Sequence, residues 1–111
     1  MTDTAIMQRM RDAKKAAIQK YRDIGYKIYE SDNQIFCFIA NSPSGPIACH
    51  QCMVRVVAGK ATDKDIKIIK EQRILPGQTK AITWRESRGR RWFRIEFDHL
   101  NNIVNSVFPP D

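Results

Sequence analysis

The chain has 111 residues, 42% of them apolar, and its 19 Lys and Arg against 12 Asp and Glu give a formal net charge of +7. That apolar share excludes a disordered polymer, and the length fits a single domain over residues 1–111 with one modest core. No apolar run approaches the about 18 residues that span a bilayer, and MTDTAIMQRMRDAKK lacks the apolar segment of a secretory signal, so a soluble cytoplasmic protein without a membrane partner is expected.

The first predicted element is a helix from Thr4 to Ile24. Ile6, Met10, Ala13, Ala17, Tyr21 and Ile24 recur at spacings of three and four, which predicts one buried stripe. Gly25 is placed to end the helix in the left-handed conformation. Tyr26 to Ser31 alternates as a short strand, and IFCFIA (residues 35–40) reads as an unbroken apolar strand. NSPSGP is a strong turn, and the apolar run from Ile47 to Val57 returns as the second arm of an antiparallel hairpin. Thr62 caps a helix that reaches about Gln72 and buries Ile66 and Ile69. Pro76-Gly77 breaks the chain. Lys80 to Glu86 and Arg91 to Phe97 pair across Ser87-Arg88-Gly89-Arg90, and Asp98 is read as the cap of a short last helix with Leu100, Ile103, Val104 and Val107 inward. The order is helix, strand, strand, strand, helix, strand, strand, helix, an α/β chain with a mixed sheet covered by helices.

The run IACHQCMVRVV holds the polar residues that need explaining, because polar groups on a buried strand are costly unless paired. In a strand, Cys49, Gln51, Met53 and Arg55 share one face, and His50, Cys52, Val54 and Val56 share the other. The second face is the better core, and the first is the one expected to look into a groove. The same alternation rules against zinc: Cys49 and Cys52 point to opposite sides, and Cys37 and His99 lie far away in sequence. No metal is expected there. Three cysteines, an odd count, do not read as a disulfide framework.

The element order, with its basic first helix and central hairpin, resembles the restriction-endonuclease-like (PD-(D/E)XK) nuclease superfamily, in particular the small members related to archaeal Holliday-junction resolvases. IFCFIA resembles the family's second strand, Gln51-Cys52-Met53 falls where the family has an acid, any residue, then lysine, and PGQTKAITW with RGRRWFRIEF resembles the later strands. The likeness implies a restriction-endonuclease-like core, DNA as the partner class and Mg²⁺ as the cofactor of active members. It also implies that chemistry is lost here. The acid position is Gln51 and the lysine position is Met53; the family's Asp falls near Gln34 or Ile35. The alternative is an active Mg²⁺-dependent endonuclease with a displaced site drawn from Glu30, Asp32, Gln51 and Arg55.

The charge is clustered. Residues 1–27 sum to +4 and residues 55–94 to +8, with −2 and −3 in the segments between and after. Clustered cations attract polyanions by counterion release. Arg85, Arg88, Arg90, Arg91 and Arg94 surround Trp84 and Trp92, with Arg90, Trp92 and Arg94 read as one exposed face suited to phosphates and bases. The expected function is a catalytically inactive nuclease-fold protein without a cofactor. It would bind nucleic acid, DNA in preference to RNA, through Arg88, Arg90, Arg91, Arg94 and Trp92, with Lys14, Lys15 and Arg55 as secondary contacts. A third reading is a homodimerisation module using the apolar strands and the last helix.

Overall fold

The computed structural model describes residues 3–31, 33–42, 51–85 and 91–105. Two helices and six strands follow as α1 (Asp3–Asp23), β1 (Lys27–Glu30), β2 (Phe38–Asn41), β3 (Gln51–Val56), α2 (Asp63–Glu71), β4 (Thr79–Arg85), β5 (Trp92–Phe97) and β6 (Ile103–Asn105). The strands form one mixed sheet in chain order. Neighbours are antiparallel except β3 and β4, which α2 joins in parallel, as a crossover helix requires. The mixed sheet and its crossover helix are the α/β arrangement expected from the sequence.

One helix covers each face. Ala17 and Tyr21 of α1 pack on Phe38, Ala40, Cys52, Val54, Val56 and Ala81. On the other face Ile69 of α2 packs with Phe36, Val57, Ala61, Ile82, Trp84 and Phe97. The expected alternation on β3 holds: Cys52, Val54 and Val56 are buried toward α1, and Gln51, Met53 and Arg55 are half-buried on the α2 side.

The helix ends form as their residue types dictate. Gly25 has φ 99°, the Gly25 amide donates to the Arg22 carbonyl (3.0 Å), and the Tyr26 amide donates to the Tyr21 carbonyl (2.9 Å). This is a Schellman end, and its customary apolar contact is the edge-to-face pair of Tyr21 and Tyr26, 5.2 Å between centroids. At the start of α2 the Asp65 amide donates to Thr62 Oγ1 (3.2 Å), while Asp65 Oδ2 accepts from the Thr62 amide and hydroxyl, both at 2.9 Å. These bonds, chiefly the one from the Thr62 amide, hold the Asp65 carboxyl below the ordinary carboxylate range. Its folded pKa is depressed, so its stabilising contribution is complete above the unfolded value of about 3.9 and is lost as pH falls through the folded value. Asp65→Asn is therefore expected to flatten the stability loss below about pH 4, checked by urea midpoints at neutral and acid pH. An unchanged acid limb would refute it.

Three expectations are corrected. The stripe on α1 is buried only from Ala13 onward, and Ile6 and Met10 are 49% and 37% exposed. A 21-residue helix is about 31 Å long, whereas a six-residue strand spans about 20 Å, so the helix outruns the sheet. The strand read from Ile35 starts only at Phe38, because Asn33 Oδ1 accepts from the amides of Ile35 (2.6 Å) and Phe36 (3.3 Å) and winds them into a turn.

The last helix is instead a turn and β6. Asp98 Oδ1 accepts from the Leu100 and Asn102 amides, both 2.9 Å, and Asn101 takes φ 65°, which closes a hairpin onto β5. Leu100, Ile103 and Val104 are 69%, 62% and 52% exposed rather than inward. The dimer face expected from that helix loses the helix. Val107 lies outside the described residues.

Candidate functional site

On β3, each polar side chain that looked costly has a structural partner. Gln51 Oε1 accepts from Gln78 Nε2 (2.9 Å), and Gln78 Oε1 in turn accepts from the Leu75 amide (2.8 Å), which ties the approach to β4 onto β3. Met53 packs against the α2-side core. Arg55 Nη1 donates to the Ile35 carbonyl (2.9 Å), bracing the turn made by Asn33. Arg55 Nε is buried without an acceptor among the described residues.

Of the residues read as a displaced metal site, Glu30 does not join Gln51 and Arg55. Glu30 pairs with Phe38, and Phe38 with Val54, so Glu30 stands on the α1 face of the sheet, opposite Gln51 and Arg55. Asp32, Cys49 and His50 lie outside the described residues. Mg²⁺ wants carboxylate oxygens; Gln51 offers a neutral carbonyl already engaged by Gln78, and Met53 offers no oxygen. These residues do not fit the ion. Among the described residues no three His, Cys, Asp or Glu side chains gather as a metal site.

The face read as an exposed Arg and Trp surface on β5 is the one that α1 covers. Arg94 is 2% exposed and donates from Nη1 to the Tyr26 hydroxyl (3.3 Å), which removes it from any surface contact in this fold. Trp92 is half-buried against the α1-side core, and Trp84 is buried on the α2 side, stacked on Phe93 at 5.5 Å. Both faces of β5 are covered, which alternation within a single strand does not reveal.

Around Arg94 the α1-side core holds further polar groups. Thr79 Oγ1 donates to Glu96 Oε2 at 2.5 Å, and Tyr21 Oη lies 2.7 Å from Thr83 Oγ1. Burial pushes the Cys52 thiol well up, so it is held protonated and is no nucleophile. The Tyr21–Thr83 pair ties α1 to the sheet, and the Thr79–Glu96 pair ties β4 to β5.

Two groups of cations stand out among the described residues. At the base of the β4–β5 hairpin, the Arg85 guanidinium lies 5.2 Å from the Trp92 ring and that of Arg91 lies 5.8 Å from the Phe93 ring. Both arginines are exposed, and Arg88 and Arg90 lie between them in sequence, outside the described residues. Lys15 is exposed on α1, and Lys14 is half-buried there.

The second place is a cleft of about 410 Å³ between the overhanging start of α1, the end of β3 and the cap of α2. Arg9, Arg55 and Lys60 meet there with Asp65, against apolar walls that include Ile6 and Met10. Sequence reasoning marked Arg55 as a secondary contact but grouped it with neither Arg9 nor Lys60. The signal was that the apolar stripe of α1 begins about two turns before the part that the sheet covers.

Comparison of the chain with protein-family models, curated proteins and solved structures finds no match.

Proposed function

We propose that this protein binds nucleic acid, DNA in preference to RNA, on a fold of restriction-endonuclease-like descent that no longer carries metal-dependent chemistry. The descent is supported by the chain order of α1, three antiparallel strands, a crossover helix and a parallel fourth strand, the order on which the sequence likeness rests. The loss of chemistry is supported by Gln51 and Met53, both absorbed into packing and loop bracing. DNA is the partner class that the likeness to Holliday-junction resolvases implies.

The observation that carries binding is the hairpin base. Arg85 and Arg91 are each steadied over an aromatic ring and yet exposed, so their planar donors are held out for phosphate oxygens at reduced entropic cost. Arg88 and Arg90 add two positive charges to the segment between Arg85 and Arg91 in sequence, while Trp92, half-buried, supports Arg85 rather than a base.

The test is a gel-shift titration of duplex, branched and single-stranded DNA, and of RNA, across salt concentrations. Binding at low salt is expected, and Arg85→Gln with Arg91→Gln should reduce the slope of log K against log salt by about 2, roughly 0.9 for each phosphate no longer neutralised. Absence of binding at low salt, or a slope that the double variant leaves unchanged, overturns the proposal.

A further inference from the structure

The cleft beside Arg55 is separate from the hairpin and has its own chemistry. Three cations and one carboxylate give it a formal charge of +2, concentrated in about 410 Å³, a volume within the range of small-ligand sites. Asp65 offsets one of the three positive charges, and its Oδ2 is itself engaged by the Thr62 amide and hydroxyl at 2.9 Å each. Arg55 is fixed by Nη1 to the Ile35 carbonyl, while its buried Nε has no acceptor among the described residues. Ile6 and Met10 are exposed apolar surface on the opposite wall, which an anion alone would leave uncovered.

We infer that this cleft binds a phosphomonoester carrying an apolar-faced organic body, with the phosphate held by Arg9, Arg55 and Lys60 and the body laid on Ile6 and Met10. Charge selects the monoester. At neutral pH it carries about −1.5 to −2, matching the cleft, whereas each internal phosphodiester carries a single charge. Ring faces of a nucleoside suit the apolar wall, so two sources share this chemistry: a free mononucleotide, and the phosphorylated end of a nucleic-acid strand. The second source rests on the nucleic-acid reading above; the first does not.

The experiment measures binding of adenosine 5′-monophosphate, adenosine and inorganic phosphate by calorimetry. Alongside, it measures anisotropy of a single-stranded DNA dodecamer labelled at its 3′ end, with either a 5′-phosphate or a 5′-hydroxyl. Expected results are binding of the monophosphate, weaker binding of inorganic phosphate, none of adenosine, and a preference of at least tenfold for the phosphorylated dodecamer. Arg9→Ala with Lys60→Ala, both exposed positions, should abolish the monophosphate binding and the end preference with the thermal midpoint unchanged. Met10→Ser should weaken the monophosphate but not inorganic phosphate.

If the two dodecamers bind equally and the monophosphate does not bind, the cleft assignment is overturned while the nucleic-acid reading stands. If the monophosphate binds and neither dodecamer does, the cleft assignment stands with the free nucleotide as its source, and the nucleic-acid reading falls. If nothing binds, both fall.

Discussion

Tyr21→Ala is expected to destabilise the protein by about 3–5 kcal/mol, the range for deleting a fully buried aromatic ring. Tyr21 is 0% exposed and is the largest side chain that α1 sets into the sheet. Its ring makes edge-to-face contacts with Tyr26 at 5.2 Å and Phe38 at 5.3 Å, and its hydroxyl lies 2.7 Å from Thr83 Oγ1. Burial pushes the phenol far up, so it stays neutral and the hydroxyl pair persists through ordinary alkaline pH. Tyr21→Phe separates ring from hydroxyl: it should cost only about 1–2 kcal/mol, the penalty of leaving Thr83 unsatisfied in the core. Urea midpoints of the two variants check both figures. Equal losses would mean that the ring contributes nothing beyond its hydroxyl, contrary to the packing described.

The second large effect concerns Lys80. It is 1% exposed, and its Nζ donates to the carbonyls of Lys70 (3.0 Å) and Gln72 (2.6 Å), at the end of α2 where helical carbonyls lack partners. Burial holds its ammonium below the usual lysine range, and Asp98 opposes that shift. Hydrogen bonds from charged donors are worth about 1.5–3 kcal/mol each, and a cation at a helix C-terminus adds to this. Removing a buried charge returns its desolvation cost. Lys80→Met keeps the stem's volume and loses both bonds, and the balance should be a loss of about 2 kcal/mol. Faster amide exchange at Ile69 and Gln72, before global unfolding, is the local signature. A variant as stable as the parent would show that water replaces the ammonium at no cost.

Lys80 also marks where sequence reasoning runs short. Its strand, the cap at Thr62, the stop at Gly25 and the two faces of β3 are local patterns, and all are read correctly from residue type and period. Asp98 is different. An aspartate that accepts from amides two and four residues on serves a helix cap and a tight turn alike, and the left-handed Asn101 decided for the turn. Asn33 cut β2 short in the same way, with a side chain competing for backbone amides. Arg94 was misjudged because WFRIEF shows which residues share a face but not that a helix covers each of them. The cleft was illegible because Arg9, Arg55 and Lys60 come from three separated segments, and no periodicity relates them.

The strand order has a consequence for how the molecule assembles. Every strand pairs with its neighbour in sequence, so β1, β2 and β3 can join as successive hairpins, each closing only a short loop. The parallel step from β3 to β4 is the longest closure in the sheet and waits on α2. The bond between Tyr21 and Thr83 spans 62 residues. Of the described elements, α1 precedes all the others in the chain and is thus among the last to be locked. While β4 is still missing, α1 displays Tyr21 and its apolar stripe without the far half of their seat, and that interval is when the nascent chain is most exposed to self-association.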